Sequence, residues 1–193
     1  MKRRGYSPLV FGLLLASMAA SATGQVVKVG GIARDFTVVN HATGAPIRLS
    51  DFAGKIVVLD FFAHWCEPCR SASADLEHNV RGYYAERGGN PARLPVVVIG
   101  INIDLGNPTR TDDFVRRAGL ELAADDVRHE AFSLFDEKNT LPLMVVINGA
   151  AGVPGRKQWE VLYRKTGYDG ATTLRPLIDA IATSGPPLGE TSR

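Results

Sequence analysis

Short apolar runs alternate with amphipathic segments along this chain. Residues 56–62, 96–103 and 143–148 are apolar and rich in β-branched side chains, which is typical of strands buried on both faces of a sheet. Further strands are predicted over 33–40 and 159–167. The last of these follows a turn rich in Gly and Pro, so we expect it to pair back antiparallel with its predecessor.

The segments between these strands have apolar residues at a helical spacing. Helices are predicted over 68–87, over 109–120 with Thr109 or Thr111 as N-cap, over 127–138, and near the end of the chain. The residues predicted to face the core are Leu76, Val80, Tyr83 and Tyr84 in the first helix, Val127, Ala131, Leu134 and Phe135 in the third, and Leu174, Leu177, Ile178 and Ile181 in the last. This alternation predicts an α/β fold with helices on a mixed sheet.

A secretory signal peptide is predicted at residues 1–22. Basic residues at 2–4 precede an apolar run at 9–20, and the small residues at 20–22 offer a cleavage site. The apolar run is too short to span a bilayer comfortably, although an uncleaved N-terminal membrane anchor is the alternative. We therefore expect export to the periplasm.

The net charge changes sign once this segment is set aside. The whole chain carries +2 at pH 7, and residues 1–25 contribute three basic residues and no acidic one, which leaves −1 for the remainder. That balance argues against a nucleic-acid partner. We expect residues 26–183 to form one compact domain and residues 184–193 to form a flexible tail.

Both cysteines of the chain, Cys66 and Cys69, lie just after the first apolar run. A disulfide between them would close a loop of about four residues, which removes too little unfolded-state entropy for a structural staple. Cys66 immediately precedes a predicted helix, and Pro68 suits its first turn. Free N–H groups and the helix dipole favour a thiolate there. We expect Cys66 to be the exposed attacking sulfur and Cys69 to resolve the mixed disulfide.

The segment LDFFAHWCEPCR resembles the active-site segment of the thioredoxin superfamily, with its Trp-Cys-x-Pro-Cys signature. The wider stretch, GGIARDFTVV followed by RLSDFAGKIVVLDFFAHWCEPC, is similar to exported TlpA/ResA-like thioredoxins, over roughly residues 30–182. The resemblance implies a thioredoxin fold, a central mixed sheet flanked by helices, with an N-terminal extension and a central helix-containing insertion. It also implies a monomeric thiol–disulfide oxidoreductase without a cofactor, which acts on protein thiols and disulfides and receives electrons from a membrane thiol–disulfide donor.

The resemblance also points to residues that contact substrate. Pro142 matches a cis-proline that faces the cysteines in that family, and the alternative is an ordinary trans-proline at a strand start. Leu141 before it would offer backbone groups to an extended substrate peptide. We add Pro68 and Trp65 to this surface, although a core position for Trp65 is equally open.

Asp60 matches the buried acid that many thioredoxins place beneath the second cysteine. A carboxyl group in a buried strand is costly to ionise, and a raised pKa near Cys69 would allow it to relay a proton. The alternative is an Asp at a strand end or edge that faces solvent. His64 is interpreted as an exposed residue at the strand end without a role, or else as one that tunes the pair.

Some positions depart from the ResA-like pattern. Ala72 and Ala74 stand where a Glu and a Pro are frequent, and Arg34 stands where Pro is usual. The resemblance leaves two reductive roles open, cytochrome c maturation and general disulfide reduction in the periplasm. These departures weaken the first role, the reduction of apocytochrome c for haem attachment, and they leave the dithiol chemistry intact.

A copper-binding metallochaperone of the Sco type, on the same fold, is the main alternative function. Those proteins use a C-x-x-x-C spacing and a histidine on a loop, whereas this chain has C-x-x-C and no histidine in a recognisable ligand motif. A zinc site would need two further ligands. A thiol peroxidase would need Thr at position 63, which is Ala. The sequence therefore favours an exported thiol–disulfide oxidoreductase that acts as a reductant.

Overall fold

A computed structural model describes residues 26–181 of the chain. The predicted signal peptide at 1–22 and the predicted tail at 184–193 lie outside this part. The strands of the described part are β1 (Thr37–Asn40), β2 (Pro46–Arg48), β3 (Ile56–Phe62), β4 (Val96–Asn102), β5 (Ala123–Asp125), β6 (Leu143–Asn148) and β7 (Glu160–Thr166). They form one sheet in the order β2-β1-β5-β4-β3-β6-β7.

Helices cover both faces of this sheet. They are α1 (Glu67–Leu76), α2 (Tyr83–Arg87), α3 (Pro108–Ala118), α4 (Glu130–Phe135) and α5 (Ala171–Asp179), and a short 3-10 helix spans Leu49–Phe52. A π-helical segment, Glu77–Gly82, joins α1 to α2. The predicted helix over 68–87 is therefore confirmed as one continuous helical stretch, with a change of hydrogen bonding in its middle. Among residues 26–181, no helix has both the length and the apolar character that crossing a bilayer requires.

Strand β3 is the centre of the sheet. It pairs in parallel with β4 and antiparallel with β6, and all seven of its residues are buried. The β4/β5 pair is also parallel, whereas β6/β7, β1/β2 and β1/β5 are antiparallel. The expected mixed sheet, with parallel pairs early and an antiparallel hairpin late, is therefore confirmed.

The alternation of side chains along β3 divides the core in two. Val57, Leu59 and Phe61 lie on the face covered by α4, in a cluster with Phe132 and Phe135. The opposite face packs against the helical stretch that starts at α1 and against α5. Most residues predicted to face inward are buried, namely Leu76, Val80, Tyr84, Ala131, Leu134, Phe135, Leu174, Ile178 and Ile181, while Tyr83 and Leu177 are half-buried.

The prediction was wrong at the edges of several elements. Strand β1 begins at Thr37 rather than at residue 33, and the three-residue strands β2 and β5 were missed because such short strands show no periodicity. The N-cap of α3 is Asn107, whose side chain accepts a hydrogen bond from the N–H of Arg110 at 3.1 Å, so neither Thr109 nor Thr111 has that role.

Helix α4 is shorter than the predicted 127–138. Val127 precedes it and is 52% exposed, so its assignment to the core was wrong. The cause is Asp126, a buried carboxylate whose oxygens accept the N–H groups of Ala131 at 3.3 Å and Phe132 at 2.8 Å. These bonds turn the chain sharply between β5 and α4.

A histidine joins the N-terminal hairpin to the rest of the domain. His41 follows β1, and its Nδ1 lies 2.9 Å from Asp125 of β5 while its Nε2 lies 3.0 Å from Asp112 of α3. Only a protonated ring can donate to both carboxylates. Burial of the ring lowers the pKa of His41, but the two hydrogen bonds and the two negative charges outweigh it and leave the pKa above the ordinary 6.5.

Replacing this histidine should make the stability less sensitive to pH. The raised pKa of His41 means that its stabilisation is fully present below about pH 6.5 and is lost as the pH rises through the higher folded-state value. We expect thermal unfolding from pH 5.5 to 8.5 to show a midpoint advantage of wild type over His41→Gln that shrinks with rising pH. His78→Gln, at an exposed helix position, is the control. An advantage that stays constant or grows would contradict the prediction.

Candidate active site

The two cysteines lie where β3 passes into α1. They form a disulfide, with the Cα atoms of Cys66 and Cys69 5.3 Å apart. Cys66 is the N-cap residue of α1, and Pro68 and Cys69 lie in its first turn. The N–H of Cys66 donates to the carbonyl of Ala63 at 3.0 Å, which closes a tight turn between strand and helix. The sulfur of Cys66 thus stands at the N-terminus of a ten-residue helix, as predicted.

Both cysteines are more buried than expected. Cys66 is 4% exposed and Cys69 is fully buried, so the expectation of an exposed Cys66 was wrong in degree. The cause is an apolar cluster around the disulfide, to which Phe62, Phe114 of α3 and Leu141 contribute. Cys66 is still the one of the two that reaches solvent.

Trp65 lies on the surface, next to Cys66 in the chain. It is 62% exposed, which excludes the core position left open by the sequence. Its indole N–H donates to Asp104 at 2.6 Å, and the other oxygen of Asp104 accepts the N–H of Gly106 at 2.9 Å. The Gly106 and Trp65 bonds and the nearby His64 outweigh burial, so the pKa of Asp104 lies below its ordinary value.

His64 is not the exposed residue that the sequence interpretation favoured. Its side chain is 10% exposed, and its Nδ1 lies 3.8 Å from Asp104, in an ion-pair arrangement. This nitrogen is buried and has no hydrogen-bond partner among the described residues. Asp104, which sequence reasoning missed, therefore contacts both central residues of the turn that ends at Cys66.

The peptide bond between Leu141 and Pro142 is cis, as the resemblance implied. Pro142 is buried, and its carbonyl accepts the N–H of Gly167 at 2.8 Å. Leu141 is half-buried and packs against the cluster that contains both cysteines. Within residues 26–181, neither the N–H nor the C=O of Leu141 has a hydrogen-bond partner. An unpaired stretch of backbone is therefore available beside the disulfide.

Asp60 is fully buried in the middle of β3, so the solvent-facing alternative was wrong. The hydroxyl of Ser73 donates to its Oδ2 at 2.5 Å, and its Oδ1 has no partner in the described part of the chain. Burial raises the pKa of Asp60 to about 7, and the Ser73 hydrogen bond offsets only part of this effect. Ser73 lies one helical turn beyond Cys69, and that spacing on the buried face of α1 is the sequence signal by which it could have been found.

Metal ligands do not gather around the pair. Among residues 26–181, no three His, Cys, Asp or Glu side chains are grouped so that they could hold a metal ion.

Comparison with protein families gives a match to the AhpC/TSA family over residues 29–159. The thiol-disulfide oxidoreductase ResA of Oceanobacillus iheyensis is 28% identical over 94 residues, which is 47% of this chain and 44% of that protein. ResA of Geobacillus kaustophilus is 33% identical over 95 residues, or 49% of this chain and 48% of that protein. The chain thus matches about half the length of these curated relatives.

Solved structures match more of the chain. A putative thiol:disulfide interchange protein DsbE from Chlorobium tepidum has a TM-score of 0.62 and 25% identity, covering 79% of this chain and 96% of that one. StoA from Bacillus subtilis matches with a TM-score of 0.54 and 18% identity. The match covers 75% of this chain and 96% of StoA, and at this identity it shows a likeness of fold alone.

These findings agree with the fold and with the site. The mixed sheet with flanking helices is thioredoxin-like, as the structural neighbours are. The family match spans more than half of the chain, including the cysteine pair, and the chain therefore belongs to the AhpC/TSA family of thioredoxin-fold proteins.

Proposed function

We propose that this protein is a thiol–disulfide oxidoreductase that exchanges its Cys66–Cys69 pair with protein thiols and disulfides. The observation that carries the proposal is the disulfide at the first turn of α1, with Cys66 at the N-cap. A thiolate at that position is stabilised by free N–H groups and the helix dipole. The ResA and DsbE names of its relatives support the same chemistry.

The exchange proceeds through a mixed disulfide. In the reduced protein, the Cys66 thiolate attacks a substrate disulfide, so that a bond from Cys66 to substrate forms and the substrate S–S bond breaks. The released substrate thiolate takes a proton. Cys69 then loses its proton and attacks the Cys66 sulfur, which closes the Cys66–Cys69 disulfide and releases the second substrate thiolate. The substrate gains two electrons, and the pair loses two.

Asp60 is the proposed acceptor of the Cys69 proton. Cys69 is fully buried, so a base inside the protein is needed to remove its proton. Asp60 has a pKa of about 7, and it bonds Ser73, one turn along α1 from Cys69. A carboxyl group that titrates near neutral pH can both take up and return a proton under physiological conditions.

The surface beside Cys66 is the proposed substrate site. Trp65 offers an exposed apolar ring, Pro68 is exposed in the first turn of α1, and Leu141 before the cis-Pro142 has an unpaired backbone. An extended substrate segment can add to such a backbone as a strand does to a sheet edge.

We further propose that the protein acts outside the cytoplasm as a reductant, supplied with electrons by a membrane thiol–disulfide carrier. The basic and apolar N-terminus supports export, and StoA-like and DsbE-like proteins share the fold. The copper-binding alternative has no specific observation in its favour in the described residues.

Substitution of the two cysteines should separate their roles. Cys66→Ser should abolish disulfide reductase turnover, because it removes the attacking sulfur. Cys69→Ser should instead accumulate a mixed disulfide with a substrate protein, since no resolving thiol remains. Insulin reduction and non-reducing gel electrophoresis measure the two effects. Persisting turnover in Cys66→Ser would exclude Cys66 as the nucleophile.

Asp60→Asn should slow exchange by about tenfold or more, because an amide cannot accept the Cys69 proton.

The raised pKa of Asp60 also affects the stability of the protein. Wild type should lose stability as the pH rises from about 4 to about 7, because the Asp60 carboxyl of the unfolded state releases its proton at lower pH than that of the folded state. The loss is on the order of 4 kcal/mol at most. In urea unfolding, this contribution should make the free energy of unfolding of wild type lower at pH 8 than at pH 5. Asp60→Asn should not show this decrease, because an amide does not titrate.

A control distinguishes the relay from a packing role. Asp113→Asn, on the exposed side of α3, should change neither exchange nor the pH dependence of stability by more than a small amount. Normal exchange by Asp60→Asn, combined with a large loss of stability at every pH, would show that the carboxyl is structural.

The equilibrium reduction potential of the pair tests the direction of electron flow. A value near or below about −250 mV, measured against a graded thiol buffer, is expected for a reductant. A value near about −120 mV would make the protein an oxidant and would contradict the reductive role, but not the exchange chemistry.

A further inference from the structure

A cleft between α1 and α3 begins at the two residues that separate Cys66 from Cys69. Its volume is about 570 Å³. The residues that line it are Glu67, Pro68, Arg70, Ser71, Ala74 and Arg117. We propose that this α1–α3 cleft binds an acidic side chain of the substrate segment that carries the reacting cysteine, with Arg70 and Arg117 as specificity-determining residues. The inference rests on the proposed oxidoreductase function and names the class of substrate that its site prefers.

The cleft lies within reach of a substrate segment bound at Cys66. Pro68 in its lining also belongs to the proposed substrate surface, and Arg70 lies four residues beyond Cys66 in α1. At a rise of about 1.5 Å per residue, those four residues extend about 6 Å along the helix axis. An extended chain rises about 3.3 Å per residue, so the acidic residue is expected about two or three positions from the substrate cysteine.

The guanidinium of Arg70 is not fully satisfied within the chain. Its Nη1 lies 3.4 Å from the carboxylate of Glu67, which is exposed. An exposed ion pair of this kind is weak. The buried Nε of Arg70 has no hydrogen-bond partner among residues 26–181, which is unfavourable for an N–H group. The five N–H donors of a guanidinium form a fork that fits a carboxylate, and the half-buried Arg70 side chain leaves part of that fork open to one from outside.

The α3 wall of the cleft has more positive than negative charge. Arg117 lies 2.7 Å from Asp113, and Arg116 pairs with the same carboxylate. Two guanidinium groups therefore share one negative charge, and Arg117 is exposed. Asp113 does not itself line the cleft. Since the α1 wall holds one arginine and one glutamate, the cleft and its ion-pair partners have one positive charge in excess, whereas the chain after residue 25 carries −1.

The remaining lining suits a polypeptide. Pro68, Ser71 and Ala74 have small side chains, so an extended backbone can approach α1 closely. From Glu67 to Ala74 the helix rises about 10 Å, which is the length of about three extended residues. The carboxylate of Glu67 stands at the start of this path, where it repels an acidic segment and competes with it for Arg70. Glu67 therefore limits the preference that the arginines create.

A series of peptide disulfides tests this preference. Each peptide is rich in alanine, has one cysteine blocked as a mixed disulfide with 2-mercaptoethanol, and carries Asp, Asn or Lys two and three positions from that cysteine. The reduced 193-residue protein is mixed with each peptide, and the released peptide thiol is quantified after acid quenching. At low salt, wild type should react about threefold to tenfold faster with the Asp peptide than with the Asn peptide, and slowest with the Lys peptide. The ratio should fall as salt rises, because salt screens exposed charges.

Substitutions assign the preference to the cleft. Arg70→Gln and Arg117→Gln should each lower the ratio of the Asp rate to the Asn rate, and Glu67→Gln should raise it. A change in the reduction potential of the pair alters both rates alike, so the ratio reports recognition alone. Arg128→Gln, which removes an exposed arginine that lies 3.3 Å from Glu130 near α4, is the charge-matched control and should keep the wild-type ratio.

A measurement on wild type avoids any effect of substitution on folding. Peptides with Ser in place of the cysteine bind without reacting. When the Asp form of such a peptide is added to the oxidised protein, the NMR signals of the Arg70 and Arg117 Nε–H groups should shift. The Asn form should leave them in place, and the signal of Arg128 serves as the internal reference.

Three results would overturn the inference while leaving the proposed function intact. The first is an equal rate for the Asp and Asn peptides in wild type. The second is a ratio that is unchanged in both arginine variants, or that falls equally in Arg128→Gln. The third is the absence of any shift of the Arg70 and Arg117 signals with the Asp peptide. Failure of the reduced protein to react with any peptide disulfide would instead contradict the proposed function itself.

Discussion

The complete burial of β3 between β4 and β6 is the constraint on which the rest of this structure depends. A strand with neighbours on both edges and helices on both faces leaves its residues no contact with water. The chain leaves the sheet at Phe62, the last residue of β3. The next seven residues pass through a tight turn and enter the first turn of α1. Both cysteines lie in that passage. Their position at a helix N-terminus is thus a consequence of how the central strand ends.

The same burial explains the raised pKa of Asp60. A carboxyl group in this strand has no solvent to stabilise its charge, and Ser73 supplies only one hydrogen bond. Its pKa of about 7 follows from that environment. Backbone register places Gly100 of β4 and Met144 of β6 opposite it, and neither side can supply a charged partner. The strand at the centre of the sheet therefore also holds the buried acid that we propose as the proton acceptor.

The parallel pairing of β3 and β4 accounts for the contacts around Trp65. Parallel strands end on the same side of a sheet, so the loops that follow them lie side by side. Asp104 from one loop thereby meets His64 and Trp65 from the other. Asn102, at the end of β4, extends this arrangement, because its side chain accepts the N–H of Asp104 at 3.1 Å and donates to Asp125 at 2.9 Å. A continuous set of polar contacts thus runs from the active-site turn toward the His41 junction.

The sequence by itself determined the elements with strong hydrophobic patterns and the cysteine motif between them. Burial on both faces leaves a continuous apolar run, which predicts the strands at 56–62 and 143–148. Burial on one face leaves a helical period, which predicts the long helical stretch after the cysteines. The resemblance to thioredoxins added two expectations, a cis peptide bond before Pro142 and a buried acid at Asp60. Only the tertiary structure decided what depends on residues far apart in the chain. The burial of Cys66 and the contacts of Asp104 and His41 arise because separate segments meet, and no local pattern records which segments these are.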